Sequence, residues 1–89
     1  MPTKRHTCWT VRAIDEAGQP RTVAIDITPW LTLQVTRHHR HPGAWVAQAP
    51  PAIETIILAA ITLEDAQIEA CALLRRQLAN ALAGLISAT

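Results

Sequence analysis

Five consecutive residues, Arg37-His38-His39-Arg40-His41, bring two guanidinium groups and three imidazoles to one point of the chain. Arginine forks match phosphate oxygens, and His38, His39 and His41 add positive charge below about pH 6.5. Contact with a phosphate-bearing ligand, RNA in particular, is the chemistry that Arg37 and Arg40 would serve best. Metal coordination is the weaker expectation, because adjacent histidines on a turn point in different directions and no carboxylate or cysteine stands at ligand spacing. A basic turn that is simply solvated is the plainest reading of the same residues.

Catalytic groups are scarce. The chain has one serine, Ser87, and no tyrosine. Cys8 and His6 lie two residues apart on one stretch, without an oriented base or oxyanion donors. Asp26 and Glu54 are outward-facing or strand-end acids that pair with nothing recognisable. The expectation is therefore a protein that is not an enzyme, with no cofactor and no metal. Cys8 and Cys71 match no metal or redox spacing and read as buried free thiols. Trp9, Trp30 and Trp45 are the only aromatic residues. They read as core or edge packing, unless one is exposed as a base-stacking platform or an interface anchor. Trp45 is the first candidate for that role and Trp30 the second.

The elements that would position these groups follow from periodicity. With 89 residues, 49% hydrophobic and 17% charged, the chain is expected to form one domain with one two-layer core rather than a disordered segment. A formal net charge of +1 argues against nucleic-acid binding driven by bulk electrostatics. Cys8 to Ile14 alternates, with Trp9, Val11 and Ala13 on one face, and reads as a half-buried strand. Asp15 to Pro20 breaks the pattern and closes a hairpin. Val23, Ile25 and Ile27 then form the inward row of a second strand, against Thr22, Asp26 and Thr28, until Pro29.

Leu31, Leu33 and Val35 alternate with Thr32, Gln34 and Thr36 in a third strand that runs into the basic residues. Pro42-Gly43 fits a type II turn, which puts the basic run at the tip of a second hairpin. Ala44 to Ala49 is the return strand, stopped by Pro50-Pro51. Ile53 to Ile61 is rich in β-branched residues and reads as a fifth strand, with a helix opened by Pro51 as the alternative.

At Thr62 a long helix begins. Thr62 is placed to cap the amide of Asp65, whose carboxylate would reach back to the Thr62 amide, and Glu64 and Asp65 sit at the positive end of the helix dipole. Leu63, Ala66, Ala70, Leu73, Leu74, Ala81, Leu82 and Leu85 recur at three and four as one apolar face. Glu64, Asp65, Glu69, Arg76 and Asn80 occupy much of the remainder. The fold class is thus α+β: an antiparallel sheet of four to five strands, two hairpins plus a further strand, packed against one long C-terminal helix. Residues 1–7 read as a flexible lead.

Ile68, Ala72 and Ala79 widen the apolar sector toward Arg75, so the helix is more hydrophobic than a lid on one sheet requires. Ile56, Leu58, Ile68, Ala72 and Arg75 are accordingly expected to form a self-association surface, in a homodimer. The run from Ile53 to Leu63 is too short for a membrane span, which takes about 20 residues. The basic N-terminus has no apolar stretch of signal length. A soluble, cytoplasmic protein is the expectation.

Three segments carry a likeness to a known family. Leu31 to Thr36 is a strand, Gly43-Ala44-Trp45-Val46-Ala47-Gln48-Ala49-Pro50 is a strand that opens with an aromatic and closes at a proline, and Thr62-Leu63-Glu64-Asp65-Ala66 opens a helix. In this order the second half of the chain resembles the HicB-type antitoxin domain of bacterial toxin–antitoxin pairs. The hairpin from Cys8 to Thr28 lies outside the resemblance. What the resemblance implies is a degenerate ribonuclease-H-like α+β sheet used for binding, with a toxin or another nuclease as the partner. Two functions therefore stand side by side: a non-enzymatic interaction module, antitoxin-like or an accessory protein of a mobile element, and a nucleic-acid-binding protein that uses the basic hairpin with Trp45 or Trp30 stacking on bases.

Overall fold

The computed structural model describes residues 9–41 and 43–88. The expectations for residues 1–7, for His6 and Cys8, and for Pro42 lie outside the described residues. Five strands, β1 (Thr10–Ile14), β2 (Pro20–Thr28), β3 (Leu31–Arg37), β4 (Trp45–Ala49) and β5 (Ile53–Ile57), precede one helix, α1 (Leu63–Ala88). The strands pair in chain order, β1-β2-β3-β4-β5, and every pair is antiparallel. This is the α+β arrangement read from the alternation of apolar and polar residues.

Register explains which alternating row becomes core. Val23 faces Val35 and Ile25 faces Leu33 across β2 and β3, and Val35 faces Ala47 across β3 and β4. The helix packs on β3 and β4, the two strands best placed to be covered by one cylinder. Leu33, Val35, Ala47 and Ala49 on the sheet and Ala66 and Ala70 on α1 are fully buried in one cluster, which Trp45, Ile53, Leu58 and Leu74 complete. Alanines on both layers, Ala47 and Ala49 on the sheet and Ala66 and Ala70 on α1, leave room for the helix to approach the sheet closely.

Where the fold departs from the sequence expectations, the footprint of α1 is the reason. Every residue of β1 is exposed, Val11 included, because the helix lies two strands away. Ile27 is also exposed, near the bulge between Asp26 and Thr28. The fifth strand ends at Ile57 rather than Ile61, as the chain turns away: Leu58 donates its amide to the Trp45 carbonyl (2.8 Å), and the amides of Ala59 and Ala60 are donated to the Glu69 carboxylate (3.0 and 2.9 Å). Thr62 Oγ1 accepts the Asp65 amide (3.2 Å), the expected cap. The reciprocal bond from the Thr62 amide to Asp65 is not made among the described residues.

Only the first half of α1 meets the sheet. Ala66, Ala70 and Leu74 are buried, Leu63, Cys71 and Leu73 are partly so, and every residue from Arg75 to Ala88 is exposed. The expected continuation of the packed face through Ala81, Leu82 and Leu85 therefore meets no sheet. A helix of 26 residues is about 39 Å long at 1.5 Å per residue, well beyond the width of two strands spaced about 4.8 Å apart. No helix among the described residues is long and apolar enough to cross a membrane.

Candidate functional site

The basic run lies at the β3–β4 tip, where local bonding shapes it. The His38 amide is donated to the Ala44 carbonyl and the Ala44 amide to the His41 carbonyl, both at 2.8 Å. The expected type II turn involves Pro42 and lies outside the described residues; among the described glycines Gly18 takes a positive φ (83°).

Arg37 is not a free phosphate ligand. Its Nη1 donates to Asp15 Oδ2 at 2.9 Å, and its guanidinium carbon lies 5.4 Å from the centroid of the Trp45 ring. Asp15 is the hub of this end of the sheet: its Oδ1 also accepts the amides of Ala17 and Gln19, both at 2.9 Å. The Gln19 amide is the largest influence holding the Asp15 carboxyl below its usual range, with Arg37 and Ala17 adding to it against a partial burial that pulls the other way. One carboxylate thereby ties the β1–β2 loop to the β3–β4 tip.

The three imidazoles collect around His38. Its ring stacks on His39 (5.3 Å between centroids, 9° between planes) and tilts against His41 (4.9 Å, 47°). His38 Nδ1 accepts the Arg40 amide at 3.1 Å, which requires an unprotonated Nδ1. Burial first, then the charges of His41, His39 and Arg40, push the His38 pKa below that of an ordinary histidine. His39, Arg40 and His41 are exposed. Among the described residues no group of three or more His, Cys, Asp and Glu is placed to hold a metal ion.

Beside the tip an open groove of about 660 Å³ is lined by Arg21, Arg37, His38 and His39 together with Asp15 and Glu16. Its mixed charge makes it a poor cradle for a polyanion. A smaller recess of about 290 Å³ continues from His38 and His39 onto the uncovered face of the sheet, over Gln34, Thr36, Gln48 and Thr55. That face is polar and self-satisfied, with Gln48 Nε2 donating to Thr55 Oγ1 (2.8 Å) and Thr32 Oγ1 to Asp26 Oδ1 (2.7 Å).

The tryptophans reverse the expected order. Trp45 is buried in the core and cannot present a stacking face, so its assignment as an exposed platform is corrected: its row on β4 is the one turned to the helix. Trp30 is the exposed one, at 75%. It sits at the other end of β3 from the basic tip, roughly 20 Å away along a seven-residue strand. One nucleotide cannot touch both.

The predicted self-association residues also separate. Leu58 is buried in the core, because its strand-end amide is held on Trp45, and Ile56 is partly buried against the same core. Ile68 is 69% exposed, and Ala72 and Arg75 are exposed with it. Those three share a groove of about 560 Å³ with Trp9 and Cys71, along a flank of α1 that the sheet does not cover. Burial raises the Cys71 thiol above the ordinary thiol range, and the nearby Arg75 only partly offsets this. Beyond the groove, Leu78, Leu82 and Leu85 are exposed as well. The signal that could have found this surface is charge: residues 77–88 include no acid and no base, and eight of the twelve are Ala, Leu or Ile.

The roles of Asp15 and Glu69 are not legible in the sequence, because each acts on groups brought to it by folding. No protein-family model, curated protein or solved structure matches the chain.

Proposed function

We propose that the protein is a non-enzymatic interaction module that self-associates through the exposed length of α1 and, as a dimer, binds another protein. The observation that supports it is the stretch 77–88 of α1. A helix with apolar residues around most of its circumference and no charge belongs inside a structure, not in water. Leu78, Leu82 and Leu85 gain about 1.5 to 3 kcal/mol each on full burial, less the part that is already covered. Contact with a further helix provides that burial. For the second partner, the resemblance of the segments at Leu31, Gly43 and Thr62 to the HicB-type domain points to a toxin or another nuclease.

Sedimentation equilibrium between about 1 and 100 µM tests the first part. A dimer is expected, and a monomer throughout would sink it. Nucleic-acid binding by the tip is the weaker alternative in this geometry, as Arg37 is engaged by Asp15 and no exposed tryptophan lies beside the histidines.

A further inference from the structure

Independently of α1, we propose that the recess where β2 and β3 meet the basic tip binds a small phosphate monoester, its phosphate among Arg21, Arg37, His38 and His39. The recess holds about 290 Å³ and, unlike the wider groove beside it, no acid lines it. Its cations come from two strands, and strand pairing brings them together. The register that pairs Val23 with Val35 and Thr22 with Thr36 sets Arg21 opposite Arg37 at the next step. Like charges directly opposite on neighbouring strands are destabilising unless something answers them. Asp15 answers Arg37, at 2.9 Å. Among the described residues Arg21 has no ion pair; Glu16 lines the wider groove with it but does not bridge to it. One guanidinium is left over for an anion.

The other donors are held in place before a ligand arrives. Arg37 is fixed by Asp15 through Nη1 and lies beside the Trp45 ring, and a guanidinium has five N–H donors, so others remain. His38 Nδ1 accepts the Arg40 amide at 3.1 Å, so the neutral ring carries its proton on Nε2. A neutral imidazole with that tautomer fixed is a donor, as an oxyanion requires. Its stacking on His39 restrains both rings. Donors already held in position lose less freedom on binding than loose surface cations do.

The neighbouring groups select the rest of the ligand. Gln34 Nε2 donates to Thr36 Oγ1 (3.3 Å) and Gln48 Nε2 to Thr55 Oγ1 (2.8 Å), and all four residues line the recess. Each carboxamide thereby keeps its carbonyl oxygen as an acceptor. Acceptors beside a cationic pocket suit a phosphate whose organic part carries hydroxyl groups, as a sugar phosphate does. A nucleic-acid strand fits less well. Running on into the adjoining groove it meets Asp15 and Glu16, and the exposed Trp30 is at the far end of β3.

The test titrates the full chain, labelled with nitrogen-15, with inorganic phosphate and with ribose 5-phosphate near neutral pH at constant ionic strength, and follows amide shifts by NMR. Saturable shifts are expected at Arg21, at Thr36 to His39 and at the side-chain amides of Gln34 and Gln48. Ribose 5-phosphate should bind with a dissociation constant of about 1 mM or tighter, and inorganic phosphate more weakly. Equal binding of the two probes would overturn the part given to Gln34 and Gln48 and leave a site for free phosphate. Arg21→Gln is expected to weaken ribose 5-phosphate binding at least tenfold, whereas Arg40→Gln, on the same turn but outside the recess, should leave it unchanged. Both side chains are exposed, so neither change removes a core contact. Equal losses in the two variants would show diffuse attraction and overturn the site, as would shifts that never saturate. A short oligouridylate that binds more tightly than the sugar phosphate, and loses affinity in both variants, would overturn the small ligand in favour of nucleic acid.

Discussion

Asp15 and His38 show how single residues acquire roles that their neighbours in sequence do not announce. The basic run is conspicuous as a local cluster, yet the carboxylate that engages Arg37 is 22 residues upstream and arrives only because β1, β2 and β3 pair in order. Asp15 in a turn before Gly18 is a recognisable loop signal; its bond across to Arg37 is not. Asp15→Asn is expected to lower the melting temperature by loosening both loops at once. The acid side of the stability profile should carry the same signature. A carboxyl whose folded pKa is depressed adds stability that is complete above its unfolded pKa, about 3.9, and is lost as pH falls through the folded value. His38 works in the same direction at higher pH. Its folded pKa lies below about 6.5, so the unfolded chain takes up the proton first and stability declines as pH falls below 6.5 until the folded pKa is passed. The groups around His38 are His39, His41 and the Arg40 amide and side chain. Melting temperature followed from pH 7.5 to 5 should fall in wild type, and the slope should flatten in His38→Gln. An identical slope in that variant would show that His38 does not contribute to it.

At the scale of elements, the junction between β5 and α1 separates what is legible in the sequence from what is not. The helix start at Thr62 can be read because a cap is a bond between residues three apart. The end of the strand cannot, because its last free amides, on Ala59 and Ala60, are held by Glu69, two turns into the following helix. The β-branched run to Ile61 reads as strand throughout, and only the tertiary bond cuts it short. Both bonds make measurable contributions. Glu69→Ala should lose about 1–3 kcal/mol, since two backbone donors lose a charged acceptor, and Thr62→Ala should lose about 1 kcal/mol. Urea denaturation would give both values. A Glu69→Ala chain as stable as wild type would mean that solvent serves Ala59 and Ala60 equally well. The sheet itself is legible from period-two alternation, but which strands are half-buried is not: β1 alternates as clearly as β3, and only the seat of α1 on β3 and β4 exposes the one and buries the other.

For the molecule as a whole, one helix is asked to do two things along its length, and the two can be pulled apart. Leu74 belongs to the core, so Leu74→Ala should cost about 2–5 kcal/mol of folding free energy with no direct effect on association. Leu82 touches no sheet, so Leu82→Glu should leave the sheet and the buried turns of α1 intact while abolishing the dimer. The sharper expectation concerns the helix itself. If residues 77–88 are helical because a second copy covers them, their order is linked to concentration by mass action. In a dilute monomer the exposed stretch 77–88, with a glycine at position 84, is weakly held as helix, because glycine costs about 1 kcal/mol against alanine in a helix interior. Amide hydrogen exchange should therefore be fast in residues 77–88 at concentrations below the dimer dissociation constant and slow above it. Exchange at Leu33, Val35 and Ala70 should stay slow in both regimes, since the core closes within one chain. In Leu82→Glu the fast regime should persist at every concentration. Slow exchange of residues 77–88 in a demonstrated monomer would show that the overhanging helix holds itself, and its order would then require no second copy.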